Sequence, residues 1–275
     1  MARTVTKQRK RELKQDKFRD TTTSFFEHLG NRLEGQGRTI LYALGALVAV
    51  LVLFLLFSAY NRSQSEKARA ALGRAIDIAN VQVAASPAPT PAPNSTLPVF
   101  TSERERSERV VREFEAVAND YGSPQSDIAR YLAATYRLSL DRERAIKELQ
   151  DLTNNSNDEV AANAKFALAQ ARETDAQYDE AANLYKELIN DDDRVQSVET
   201  LNLRLANVYE KQGKRNEAVD LLFGIVKESR ERKKADGKPA TPSAASRDAS
   251  DKLQELDAAR FAQLPPEPPA ANPFL

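Results

Sequence analysis

The sequence predicts an all-α protein: a single transmembrane helix followed by a solenoid of helical hairpins. Three observations carry that reading. A pair of small residues recurs at a nearly fixed period, Ala133, Ala169 and Ala206 being spaced by 36 and 37 residues and Ala145, Ala181 and Ala218 by the same steps. Within each unit the two alanines are always 12 apart, inside a helical apolar pattern. Ahead of these units, Thr39 to Tyr60 is a run of 22 residues without a charge.

The fixed spacing has a packing cause. Two antiparallel helices approach closely only where facing side chains are small, so Ala133 and Ala145 would mark the contact in the first hairpin and the later pairs would repeat it. Larger residues then fill the layers between hairpins: Leu132, Ile146 and Leu149; Leu168, Leu184 and Leu188; Leu205, Leu221, Leu222 and Ile225. Gly213 is placed to end a helix and Asn216 to cap the next. In the second unit Thr174-Asp175, ahead of Tyr178, supply the equivalent cap material. Repeats that bury a core only by stacking hold partners more often than they carry out chemistry.

With these residues in view, the chain resembles the tetratricopeptide repeat. The family's Leu-small pair, aromatic, small and bulky positions fall on Leu132-Ala133, Tyr136, Ala145 and Leu149, then on Leu168-Ala169, Arg172, Ala181 and Tyr185, then on Leu205-Ala206, Tyr209, Ala218 and Leu222. The family's early Trp is absent from all three units, Arg172 stands at an aromatic position, and Asn157, Asp193 and Arg230 replace the closing Pro. The resemblance implies a concave, partner-binding face built from the first helix of each hairpin. It would include Arg130, Ala134 and Arg137; Phe166, Gln170 and Glu173; and Leu203, Asn207, Glu210 and Lys211.

Residues 39–60 are long enough, at about 1.5 Å per residue, to cross the roughly 30 Å hydrocarbon core of a bilayer. Tyr42 and Tyr60 stand near the two interfaces. The 38 residues ahead of the run are long for the charged region of a cleaved signal peptide, and Ser58-Ala59-Tyr60 is a poor cleavage site, so an uncleaved signal anchor is expected. Residues 1–38 carry ten Lys/Arg against five Asp/Glu (net +5), and residues 61–275 carry 30 against 35 (net −5). The basic excess predicts a cytoplasmic N-terminal tail and an extracytoplasmic repeat domain. Interspersed acids and few aromatics make this tail a poor nucleic-acid binder, and attraction to an anionic leaflet explains it better. Phe25-Phe26, Leu29 and Leu33 suggest a short interfacial helix.

Between span and repeats, residues 61–83 read as a juxtamembrane helix with Ala68, Leu72, Ala75, Ile76 and Ala79 on one stripe. Residues 84–101 read as a Pro/Ala-rich linker. Helix resumes at about Ser102, with Val110, Val111, Phe114 and Val117 inward, and the repeat domain extends over 102–230. Residues 61–83 and 102–121 suit either a degenerate first hairpin or a free-standing helix followed by the array. Residues 231–275 read as a polar, loose and finally Pro-rich tail, with a capping helix over 251–264.

Residues for chemistry are scarce. The chain has no Cys and one His, His28, on the tail side of the span. These counts exclude disulfides, thiolate metal sites, and a His-based triad beyond the span. No glycine-rich phosphate loop occurs, and Asp191-Asp192-Asp193 reads as a solvated turn rather than a metal site. No enzymatic role, cofactor or metal is expected. Asn94-Ser95-Thr96 fits a glycosylation acceptor, which matters only in a eukaryotic secretory setting.

Taken whole, residues 20–230 resemble the YfgM-type ancillary subunits of the bacterial Sec translocon. The likeness rests on Phe25-Phe26 ahead of a single span, the small-residue-rich helix after it, and the stretch Leu201 to Ala218. It implies a periplasmic module anchored in the inner membrane, associated with the SecYEG channel and with a membrane-anchored prolyl isomerase, that hands secreted proteins to chaperones. A tethered scaffold for envelope or division machinery, with no role in secretion, is the alternative.

Overall fold

The computed structural model describes residues 37–83 and 98–267. The basic tail, including the Phe25-Phe26 stretch, most of the Pro/Ala-rich linker and the Pro-rich C-terminal end lie outside them. The described residues form ten helices and no strand, two isolated bridges apart. The chain divides into two units between Gln64 and Ser65.

Helix α1, Gly37–Ala79, is one element of 43 residues. The expected boundary at residue 60 is not a helix end, because residues 61–79 hold no proline and only Gly73 against helix-forming alanines, charges and leucine. It is long and apolar enough to cross a membrane. Its large apolar residues from Tyr42 to Tyr60 are all exposed, as lipid-facing side chains must be.

In the second unit Ala68, Ala75 and Ala79 are buried, whereas Ile76 is 39% exposed and leaves the expected stripe. Ala75 and Ala79 share a cluster with Val110, Phe114 and Val117 of α2 (Glu103–Asp120) and Ala129 and Ala133 of α3 (Gln125–Arg137). This stretch is therefore packed against the array rather than free-standing. Ser102 caps α2 by accepting the Glu105 N–H, while the Glu105 carboxylate accepts from the Thr101 N–H (3.0 Å) and hydroxyl (2.9 Å). That arrangement is a capping box displaced by one residue.

Three hairpins follow: α3 with α4 (Arg142–Leu152), α5 (Asp158–Thr174) with α6 (Tyr178–Ile189), and α7 (Val198–Lys211) with α8 (Arg215–Glu231). All six recurring alanines are at most 3% exposed, so the sequence period is a packing period. Of the expected interlayer residues Leu149, Leu168, Leu188, Leu205, Leu222 and Ile225 are buried, while Leu132, Ile146, Leu184 and Leu221 are half-buried.

The turns inside hairpins two and three share one geometry. Gly213 sits at φ 74° and, 37 residues earlier, Ala176 sits at φ 58°. The N–H of Gly213 donates to the Glu210 carbonyl and that of Lys214 to Tyr209; Ala176 donates to Glu173 and Gln177 to Arg172 in the same way. These are Schellman caps, and they lead straight into the next helix. Helix α8 accordingly starts at Arg215 with no side-chain cap, and Asn216 lies inside it; Asp175 closes α5 instead of opening α6.

A second contact repeats with the same period. The first residues of the second helices reach the C-terminal end of the next first helix. Arg142 donates to Asp175 (2.6 Å) and to the Ala171 carbonyl (2.8 Å). Asp179 accepts from Gln212 (2.8 Å), and Arg215 donates to the Leu256 carbonyl.

The last of these latches identifies α9, Ala244–Leu256, as the first helix of a fourth unit. It starts at Ala244 rather than Asp251 because Ser243 caps it, accepting the Ser246 N–H. Ala249 and Leu253 enter the cluster of Ala218, Leu222 and Val226, and a single turn, α10 (Ala258–Phe261), follows. The outer residues of α9, among them Arg247, Asp248, Asp251 and Glu255, are polar and exposed, so the array ends there.

Candidate partner-binding groove

The ten residues assigned to the concave face lie on α3, α5 and α7, and the structure divides them. Gln170, Glu173 and Lys211 line a depression of about 410 Å³ between the C-terminal parts of α5 and α7. Thr174, Tyr178 and Arg204 complete its wall. None of these three was assigned to the concave face from the sequence. Arg204 precedes the repeat's Leu-Ala pair, and Tyr178 opens the second helix, so neither follows from choosing first-helix face positions.

Arg204 and Lys211 have no ion-pair or hydrogen-bond partner among the described residues. Glu173 is the site's carboxylate, and it accepts a hydrogen bond from the Tyr185 hydroxyl at 3.0 Å. Tyr185 is fully buried at the hairpin centre, and burial first, then the Glu173 charge, pushes its phenol far above the ordinary range. It stays protonated and donates, holding Glu173 in place. Phe166 is half-buried, edge-on to Tyr185 with ring centroids 6.1 Å apart, and serves the core beneath the depression.

Among the remaining assigned residues, packing takes up Ala134, Arg137, Leu203 and Glu210. Ala134 is fully buried beneath the face. Arg137 is 5% exposed and bridges Glu115 of α2 and Glu148 of α4. Arg144 joins the same carboxylates at 3.3 and 2.9 Å, so a four-charge network ties three helices together. Arg130, exposed and lining the same 300 Å³ hollow, has no ion-pair or hydrogen-bond partner among the described residues. Leu203 packs into the cluster beneath α8 and α9, and Glu210 meets Lys252 of α9 at 2.6 Å, an ion pair without hydrogen-bond alignment. Asn207 is half-buried, with an unbonded side-chain oxygen. The fourth-unit helix thus takes up Leu203 and Glu210, which a three-hairpin array would leave open.

Arg172, at the family's aromatic position, pairs with Glu180 at 3.0 Å. Its counterpart Tyr209 lies within cation–π distance of Lys186 and Lys214, at 5.5 and 5.6 Å. In the triple-aspartate turn, Asp191 faces Lys165 at 3.9 Å and accepts the Asp193 N–H.

These features define a class: a helical-hairpin repeat array of tetratricopeptide-like fold, with one helix among the described residues apolar enough to span a membrane. No family model matches the chain, and no curated protein matches it. Among solved structures it is similar to a protein from Podosopora anserina described as a kinesin light chain with nearly identical TPR-like repeats. The two are 16% identical, with a TM-score of 0.45 over 58% of this chain and 81% of the other.

Proposed function

We propose that this chain is a single-pass membrane adaptor whose repeat array binds protein segments at the α5–α7 depression. The observation that carries the reading is the pair of uncommitted cations, Arg204 and Lys211, beside a fixed carboxylate. Such an arrangement suits an extended partner segment presenting an acidic group. Anchoring raises the local concentration of membrane-bound partners, so weak contacts suffice. The N-terminal tail lies in the cytoplasm and the array outside it, in keeping with the basic excess before the span. No enzymatic step is assigned.

More finely, the resemblance to YfgM-type subunits supports an accessory role at the Sec translocon of a bacterial inner membrane, beside SecYEG and a membrane-anchored prolyl isomerase. The test is in-cell crosslinking of the intact chain with mass spectrometry of its partners. Channel subunits should be recovered, and lost when residues 39–60 are exchanged for an unrelated span. Recovery of envelope-assembly or division proteins in their place would overturn the secretion role and favour the scaffold. Arg204→Glu with Lys211→Glu should abolish soluble-domain partners while leaving span-dependent ones; unchanged capture by that variant would refute the groove.

A further inference from the structure

Between α8 and α9 the array carries an insertion that its own period exposes. The latch residues at the second helices step by 37 and 36, from Arg142 to Asp179 to Arg215. Their partners step by 37 and then 44, from Asp175 to Gln212 to Leu256. The added residues do not form the loose tail expected over 231–250. They build a tight hairpin finger. Lys234 donates its N–H to the Lys238 carbonyl at 2.8 Å, and Gly237 donates to the Lys234 carbonyl at 2.9 Å. Gly237 sits at φ 78°, where a three-residue hairpin loop requires glycine. Lys233 bridges Pro239, and the Ala240 N–H returns to the Arg232 carbonyl at 2.9 Å.

Arginines and lysines divide the labour. Arg232 pairs with Glu199 and Glu228, and Glu199 also accepts from the Ser243 hydroxyl at 2.6 Å, which pins both ends of the finger to α7. Arg230 donates to the Pro265 carbonyl at 2.6 Å and lies over the Phe261 ring. The lysines stay outside: residues 231–239 are all exposed, Lys233 and Lys234 have no ion-pair partner among the described residues, and Lys238 has only Asp236 at 3.9 Å.

We infer that this finger is an electrostatic contact for anionic phospholipid headgroups of the bilayer that α1 crosses. Three considerations select that occupant. The finger offers lysines and no aromatic or large apolar residue, whereas protein interfaces concentrate binding in Trp, Tyr and Arg and are depleted in Lys. Without rings for base stacking it is equally unsuited to single-stranded nucleic acid. And each lysine near an anionic surface favours contact by about fivefold, so three lysines, one offset by Asp236, give about thirtyfold. That is too little to capture a free partner, but enough for a surface to which the chain is already tethered. The inference rests on the span and not on the groove.

The chain has no cysteine, so Ala235→Cys gives a single labelling site at the fingertip. The labelled full chain is placed in nanodiscs of phosphatidylcholine alone and in discs containing phosphatidylglycerol; recovery in both tests the span separately. The expected result is protection of the dye from an aqueous quencher in the anionic discs only. High salt should reverse it, and Lys233→Gln, Lys234→Gln and Lys238→Gln together should weaken surface contact about thirtyfold. Equal quenching in both disc types would overturn the inference. So would protection by added polyglutamate without protection by anionic discs, which would make the finger protein-facing.

Discussion

Ala176 and Gly213 occupy the same turn in successive hairpins, and exchanging their chemistries tests whether the repeat geometry sets the local energetics. At φ 58° an L-residue costs roughly 1–2 kcal/mol relative to its right-handed conformation, because Cβ crowds the following carbonyl. Glycine avoids this cost but loses more chain entropy on folding, roughly 0.5–1 kcal/mol. Ala176 is exposed, so its methyl contributes little packing. Ala176→Gly should therefore stabilise by about 0.5–1 kcal/mol. At Gly213 an added Cβ would meet nothing within 4 Å, so Gly213→Ala isolates the backbone cost and should destabilise by about 1 kcal/mol.

For a unit of this size such changes move Tm by about 2–4 °C, upward for the first variant and downward for the second. Thermal scans by circular dichroism on the intact chain in mild detergent read the shift, since the apolar span does not melt with the array. Repeat arrays depart from two-state behaviour, so amide exchange at Gln177 and Lys214, the residues whose N–H groups close the two caps, supplies the local check. A neutral or destabilising Ala176→Gly, with unchanged exchange at Gln177, would refute the reasoning.

Arg137→Met should destabilise by about 2 kcal/mol, less than the full loss of a buried pair because Glu115 and Glu148 keep 40% and 31% of their exposure; denaturant titration reads it, and a neutral result would show that the network adds nothing. Tyr185→Phe should cost about 1 kcal/mol by removing the hydrogen bond to Glu173, whereas Tyr185→Ala should cost about 4 kcal/mol through a core cavity; a neutral Tyr185→Phe would deny the hydrogen bond a role. The Glu105 carboxyl is held below the ordinary range, first by the Thr101 N–H and then by its hydroxyl. A lowered folded value stabilises above the ordinary carboxylate range and is lost as pH falls through the lowered value. Amide protection in the first turn of α2 should therefore fall over that acid window in the native chain and stay flat in Glu105→Gln.

The hairpin stack was legible in the sequence because small residues must recur where helix axes approach, and an unpatterned bundle has no reason to keep them 12 residues apart in three successive units. The concave face was legible only in outline. Position along a repeat says which side of a helix a residue occupies, but not whether a neighbouring helix brings an opposite charge. Glu115 lies 22 residues from Arg137, and Lys252 lies 42 residues from Glu210, and no local pattern links either pair. Arg204 and Lys211 stand out as free cations only once the partners of their neighbours are in place.

The fourth unit was hidden for a different reason, and the same reason gives it meaning. A repeat is read by its period, and the finger between α8 and α9 stretches the last step between latch partners from 37 to 44 residues. Ala249 and Leu253 consequently fall out of register with Ala133, Ala169 and Ala206, although α9 packs on α8 and is latched by Arg215 as its predecessors are by Asp179 and Arg142. The latches do not depend on loop length, since each joins the start of one helix to the end of another across a packed interface. An insertion at that junction is tolerated because loop closure costs rise slowly with length. It is also ordered, with Glu199 holding Arg232 and Ser243 at its base. Glu199→Ala should release the finger, raising amide exchange at Lys234, Gly237 and Ala240 while leaving the Arg215 latch and the α9 core protected. If α9 loosens together with the finger, then Glu199 secures the fourth unit as a whole, and the finger is not a separate element on a finished array.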